Sequence, residues 1–362
     1  MDLKEISVTI DSGDKIKFEK LLIATGGIPI VPKIKGINTK GVFTFTTLDD
    51  AKNIKKYIED NNVKDAVVIG AGLIGLKATE GLLANNIKVT IVELADRILS
   101  ATFDKTASSI IESALGKIDC KLLTNNTVVE IISKNSKVNA IKLKDKKIIK
   151  TNMVILAIGV TPNIGLAKNT DIATNRGIIV DKYMQTNIPN IYAAGDVVES
   201  LDSINNVTRT IAIWPCASRQ GKKAGRNMAA DILKDESIKR EYTGSFPMNS
   251  VELCNIPTIS VGLTDPKEKG YASVLGPAMR DEILKTYDKK NYTYKKIVLK
   301  DNKLIGAIFV GKIENAGIYT GLIKDKVDVS SFKEYLLKDD FGLISLPNEY
   351  RKHLVTGAGI EI

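Results

Sequence analysis

The chain has 362 residues, 44% hydrophobic and 26% charged, the balance of an ordinary globular protein of two or three domains. Its formal charge is +10, yet the lysines are spread over helices, hairpins and turns, and no basic helix or aromatic-basic platform points to nucleic acid. No charge-free apolar run approaches a bilayer span and MDLKEISVTI lacks the plan of a signal peptide, so no membrane association and a cytoplasmic location are expected.

Residues 6–10, ISVTI, alternate apolar and polar side chains and turn through DSGD into KIKF, which predicts a hairpin. Leu21–Ala24 reads as a fully buried parallel strand leaving through ATGG, and such a strand needs neighbours on both sides. Thr47 and Asp50 are spaced as the N-cap and N3 acid of a helix that ends near Asp60, with Asn61-Asn62 closing it. DAVVIGAGLIGLKATEGLLANNIKVTIVEL then gives strand, glycine turn, helix, Asn-Asn stop and strand, a compact βαβ unit. A helix near Asp104–Leu115 precedes the meander TVVEIIS, VNAIKLK and KKIIK, after which MVILAIG is another buried strand with a glycine exit. IYAAGDVVES repeats that pattern with an acid at its end, and IWPCASRQGKKAGRNMAADIL is a helix with Pro215 in its first turn.

From about Tyr242 the pattern changes to a separate α+β domain: YKKIVLKDNKLIGAIFVG predicts an antiparallel hairpin and SSFKEYLLKDD a short helix. Cys120, Cys216 and Cys254 are far apart without a C-x-x-C pair, which excludes a disulfide framework and a zinc ribbon. The single histidine, His353, leaves little scope for a metal cluster or a Ser-His-Asp triad, so no metal is expected.

GAGLIG, Gly70 to Gly75, fits G-x-G-x-x-G in a telling context. It follows the strand AVVI and opens a helix, and Glu93 ends the next strand 23 residues after Gly70. Gly70 makes the tight turn, Gly72 admits a pyrophosphate to the backbone, and Gly75 lets helix and strand approach. Glu93 accepts from the ribose hydroxyls and repels a 2′-phosphate, favouring NADH over NADPH; Arg97, four residues on, weakens that preference slightly.

Two further strands end in small residues, LLIATGG and IYAAGD, where a ligand can lie across the sheet edge. With ATG, a nested G-x-G-x-x-G domain and A-x-G-D in this order, the chain resembles the pyridine nucleotide–disulfide oxidoreductase superfamily. Its C-terminal FPMNSVELCNIPTISVG and LIGAIFVGKIENAGIYTGLI are similar to NADH:rubredoxin reductase and nitrite-reductase-type flavoproteins. The resemblance implies an α/β fold of two nested Rossmann-like dinucleotide-binding domains plus a small C-terminal α+β domain. The expected boundaries are 1–45 and 160–241 for a partial FAD-binding domain, 46–159 for the NAD(H) domain and 242–362 for a C-terminal interface domain.

By the same resemblance, Ala24, Thr25, Gly26, Gly195, Asp196, Pro215 and Ala217 would contact FAD, with Asp196 on the ribityl chain and the helix from Pro215 aimed at the flavin. Gly70, Gly72, Ile74, Gly75, Glu93 and Gly159 would bind NADH, Ile74 and Gly159 near the nicotinamide. Many relatives carry Glu where this chain has Lys77, which puts a contact to the nicotinamide amide in question. The family's first FAD-binding βαβ unit, roughly 90 to 100 residues, has no counterpart here, so the FAD domain is expected to be incomplete at its N-terminus. The implied function is transfer of a hydride from NADH to FAD and of electrons onward to a protein or small-molecule acceptor. The partners implied are a rubredoxin-like protein, an iron–sulfur protein or a second copy of the chain; no catalytic side chain is nominated. Two alternatives stay open: a non-catalytic nucleotide-binding fragment or subunit needing a partner, and a disulfide or coenzyme A-disulfide reductase or NADH oxidase whose redox cysteine lies in the missing N-terminal segment.

Overall fold

The computed structural model describes residues 1–3, 5–118, 120–266, 281–348 and 350–351. Five α-helices occur among them: α1 (Leu48–Asn61), α2 (Leu73–Ala84), α3 (Lys105–Leu115), α4 (Trp214–Leu233) and α5 (Ala316–Lys324). The fold is α/β with a parallel sheet and a C-terminal antiparallel sheet. It divides into two compact units, a first of residues 1–31 with 158–247 and a second of residues 32–157 with 248–362.

The second unit is built on a five-stranded sheet ordered Val42–Thr44, Met153–Leu156, Asp65–Ile69, Lys88–Val92, Cys120–Leu123, with every pair parallel. Its central strands are near-continuous β-branched runs because both faces are covered: Val67, Val68 and Ile91 are at most 1% exposed. The sheet's edge strand, Val42–Thr44, explains one boundary difference. Residues 32–45, expected with the FAD-binding part, join the second unit because this strand hydrogen-bonds Met153–Leu156. The predicted meander is present as Val128–Lys134, Lys137–Leu143 and Ile148–Lys150. The C-terminal sheet runs Met248–Leu253, Ile256–Gly262, Lys303–Val310, Thr293–Lys300, Asp281–Asp288, all antiparallel.

Local chemistry sets several element ends. Thr47 Oγ1 accepts from Asp50 N–H and the Asp50 carboxylate accepts from Thr47 N–H, a closed capping box, while Asn62 ends α1 in a left-handed conformation. Asp104 caps α3 through Ala107 N–H at 3.0 Å. The expected helix over SSFKEYLLKDD is only a 3₁₀ turn, Lys333–Tyr335; no side chain caps it, and Phe332, Leu336 and Phe341 are drawn inward, Phe341 packing on Tyr319 and Phe332 stacking on Phe341.

In the first unit, Ser7–Thr9 pairs with Lys15–Lys17 as predicted, and Leu21–Ile23 pairs in parallel with Ile191–Ala193. Gly27–Pro29 forms an antiparallel ribbon with Val160–Pro162. Val198–Asp202 is flanked by Ile178–Ile179 and Val207–Arg209. The strand Leu21–Ile23 departs from the expectation of full burial. Only Ile23 is buried; Leu21 and Leu22 are half-buried, because among the described residues the strand has one neighbour, not two.

Candidate nucleotide-binding sites

In the second unit the glycine turn leaves the strand Asp65–Ile69 and enters α2. Gly70 has φ +101°, a left-handed backbone that glycine alone adopts without strain. A Cβ on Gly75 would meet the Gly70 carbonyl oxygen at 2.0 Å and Ala157 Cβ at 3.4 Å, so this glycine is required by packing. A Cβ on Gly72 would meet nothing within 4 Å, and no side chain caps the first turn of α2. The turn is therefore open where a phosphate group would approach, with uncapped N–H groups behind it. Ile74, in that first turn, is 46% exposed.

Glu93 follows the strand Lys88–Val92, and its two carboxylate oxygens accept from Ala71 N–H at 2.6 Å and Ala95 N–H at 2.7 Å. The side chain is thus locked to the glycine turn while retaining lone pairs for further donors. Arg97 is turned inward: it is 8% exposed and its guanidinium donates to Asp96 Oδ1 at 2.8 Å. Lys77 is engaged elsewhere. Its Nζ donates to Glu80 Oε2 at 2.6 Å and to the Glu252 carbonyl at 2.7 Å, while Glu80 Oε1 accepts from Cys254 N–H at 2.7 Å. These bonds tie α2 to the hairpin of the C-terminal sheet, and burial, with Glu80 close by, pushes the Cys254 thiol up.

The first unit holds a cavity of about 320 Å³. Its walls come from Leu22, Ala24 and Gly26 at the end of one strand and from Ala194, Gly195 and Asp196 at the end of its parallel neighbour. Trp214, Ala217 and Gly221 of α4 close it. Five of the seven residues expected at FAD therefore converge on one cavity. The other two lie beside it: Thr25 donates its hydroxyl to the Asn163 carbonyl at 2.6 Å, and Pro215 stands in the first turn of α4. Gly159, expected with the nicotinamide residues, is grouped with the first unit, where it has φ +113° and its carbonyl accepts from Ile30 N–H at 3.0 Å.

The polar group in this cavity is Asp196. Half-buried, its carboxylate accepts no hydrogen bond from any described residue, and burial pushes its carboxyl above the ordinary aspartate value. An unpaired acceptor at a cavity wall suits a ligand rich in hydroxyls. Gly26, at φ +67°, faces open space, and no side chain caps the N-terminus of α4. The small residues, the free acceptor and the uncapped helix end fit the flavin and ribityl portion of FAD.

Trp214 was missed as a lining residue, although it lies three before Ala217 on one helical face, a spacing that could have found it. Gln220, in the buried stripe beside that face, was missed as well. Cys216 is wholly buried and its Sγ donates to Ser245 Oγ at 2.9 Å, the setting of a structural thiol. His353 lies outside the described residues. No group of three or more His, Cys, Asp or Glu side chains arranged for a metal occurs among the described residues.

A family model described as pyridine nucleotide-disulphide oxidoreductase matches residues 1–221, and one described as rubredoxin NAD+ reductase C-terminal domain matches residues 247–327. The chain is 31% identical to the NADH-dependent phenylglyoxylate dehydrogenase subunit epsilon of Aromatoleum evansii, over 89% of this chain and 72% of that one. It is 30% identical to the NAD(P)H nitrite reductase of Bacillus subtilis, over 90% of this chain and 37% of that one. Among solved structures, the NAD-dependent persulfide reductase of A. fulgidus matches with a TM-score of 0.81 at 26% identity, over 92% of this chain and 62% of that one. The chain thus spans between 37% and 72% of the length of these two curated relatives.

Proposed function

Because this chain belongs to the pyridine nucleotide-disulphide oxidoreductase family, we propose that it works as an FAD-dependent oxidoreductase that draws electrons from NADH and delivers them to a protein or small-molecule acceptor. The observation that carries the flavin reading is the unpaired Asp196 carboxylate on a cavity walled by small residues from two strand ends and α4. FAD, when bound, supplies the hydride-accepting and electron-carrying chemistry. The chain's own residues bind and orient. Ala24, Gly26, Gly195 and Ala217 admit the ligand, Asp196 accepts from its hydroxyls, and Thr25 and Pro215 shape the adjoining backbone.

Gly70, Gly72 and Gly75 form the pyrophosphate turn, Glu93 takes the ribose hydroxyls, and Ile74 serves the nicotinamide end. NADH is the preferred dinucleotide, supported by the fixed negative charge of Glu93 and the inward, paired Arg97. Glu93→Gln keeps the side chain's shape but removes its charge, so the ratio of NADPH to NADH affinity should rise about tenfold in a direct binding titration.

Residues 1–31 with 158–247 form the flavin-binding part, residues 32–157 the NADH-binding part, and residues 248–362 the surface for the acceptor. A rubredoxin-like or iron–sulfur protein is the acceptor class that the C-terminal match favours, with self-association through the same domain as the other use of that surface. A reducing, cytoplasmic setting suits three cysteines that form no disulfide.

The purified chain should carry, or take up, FAD with its yellow absorption band, and NADH added without oxygen should bleach that band. NADH binding with no flavin uptake would reduce the reading to a nucleotide-binding subunit.

A further inference from the structure

We propose that Gln220 is the positioning residue of the flavin cavity: its buried amide fixes the Gly195 peptide and so aims the unpaired Asp196 carboxylate at a ligand hydroxyl. This rests on the flavin reading of the same cavity. Gln220 is 2% exposed, and its Oε1 accepts from Gly195 N–H at 2.8 Å. Its Nε2 donates to Ser200 Oγ at 3.0 Å and Tyr242 Oη at 3.4 Å. The backbone N–H of Gly195 can only donate, so the carbonyl end of the amide must face it.

The bond matters because of where it falls. Gly195 has φ +86° and no side chain, so the backbone is least restrained just before the residue that meets the ligand. Two hydrogen bonds compensate: Gln220 holds the Gly195 N–H, and Val198 N–H holds the Gly195 carbonyl at 3.1 Å. Asp196 lies between Gly195 and the fully buried Val197, and its carboxylate has no partner among the described residues to orient it. Its direction is therefore inherited from the turn. Gln220 in turn is anchored by Ser200 and Tyr242, so α4 and two further segments converge on that peptide. A carboxylate aimed before the ligand arrives loses less freedom on binding.

FAD binding by the full chain can be followed through Trp214, its only tryptophan, which lines the same cavity and is 81% exposed. Gln220→Met and Asp196→Asn should each weaken FAD binding about tenfold, and the double variant should be no weaker than the worse single one. Gln220→Glu, which retains an acceptor for Gly195, should restore most of the affinity. Without flavin, amide exchange at Gly195 should accelerate about tenfold or more in Gln220→Met and stay unchanged in Asp196→Asn. Should Gln220→Met not fold, Gln220→Asn withdraws the carbonyl by one bond and serves the same cycle. Losses that multiply in the double variant, or unchanged exchange at Gly195, overturn the role of Gln220 alone. An unmodified chain that takes up no FAD overturns the flavin reading together with this inference.

Discussion

Gly75 and Gly72 sit three residues apart in one motif and do different jobs. A methyl group at Gly75 would need a carbonyl oxygen to leave a 2.0 Å contact, and backbone in the tightest part of the turn cannot yield cheaply. Gly75→Ala should therefore destabilise the chain by about 1–3 kcal/mol in a denaturant titration. At Gly72 the same methyl meets nothing within 4 Å in the free protein but would occupy the approach to the backbone. Gly72→Ala should leave the unfolding midpoint almost unchanged and weaken NADH binding at least about tenfold. Equal effects of the two substitutions on stability would refute this division. Asp196 gives the complementary case of a proposed ligand residue that costs stability. Burial raises its native pKa, so between the ordinary aspartate value and that raised value the unfolded chain releases a proton that the native chain keeps. Stability then falls as pH rises through this window and stays lower above it. Asp196→Asn should accordingly melt higher than the unmodified, flavin-free chain at neutral pH, with the gap closing below the usual aspartate range. A gap independent of pH would show that another effect is responsible.

Asp104 shows how elements that are legible separately become coupled. Its place as N-cap of α3 can be read from the sequence, but its other partners cannot, since they stand about 190 residues away on the strand Thr293–Lys300. Tyr294 Oη donates to Asp104 Oδ2 at 2.7 Å, and Lys296, whose side chain is 5% exposed, lies 3.0 Å from the same oxygen. Burial alone would raise the Asp104 pKa; the bonds from Ala107 N–H, Tyr294 and Lys296 outweigh it and hold the carboxyl below its usual value. The network therefore stabilises above the ordinary aspartate range and is lost as pH falls through the lowered native pKa. Asp104→Ala strands a buried ammonium and uncaps α3, and should cost about 3–5 kcal/mol, read by urea unfolding at neutral pH. A loss below about 1 kcal/mol would mean that Lys296 finds another partner.

The same contrast marks what was readable across the chain. The capping box of α1, the glycine turn and the β-branched strands carry their instructions within a few residues. Helix α5 does not: its AGIYTGLI segment contains two glycines, and it forms because Tyr319, Leu322 and Ile323 are buried against the C-terminal sheet. The cavity was legible at its strand ends, where small residues and an acid recur. Gln220 was not, because its meaning depends on a bond to Gly195 across 25 residues of chain.

At the scale of the molecule, each unit has a hydrophobic core of its own. Ile23, Ile178, Tyr192, Val197 and Ala224 belong to one in the first unit. In the second unit, one core lies around Val68, Ile91, Ile111 and Ile155 and another around Val67, Ile131, Ile141 and Leu156. The two proposed nucleotide sites divide the same way, since the cavity lies in the first unit and the glycine turn with Glu93 in the second. A ligand that binds only the native form of one unit raises the stability of that unit by mass action, about 2.7 kcal/mol at a free concentration one hundred times its Kd. Spread over units of this size, that corresponds to a rise of a few degrees for each kcal/mol. Calorimetry of the full chain should therefore resolve two transitions. NADH should move the one belonging to residues 32–157 with 248–362, and FAD the one belonging to residues 1–31 with 158–247. At that concentration a tenfold loss of affinity should cut the NADH-induced shift of Gly72→Ala to about half and leave its flavin-induced shift intact, while Asp196→Asn should do the reverse. A single transition that both ligands raise together would instead make the two units one cooperative body, and would place the energetic coupling between the nucleotide sites in folding itself.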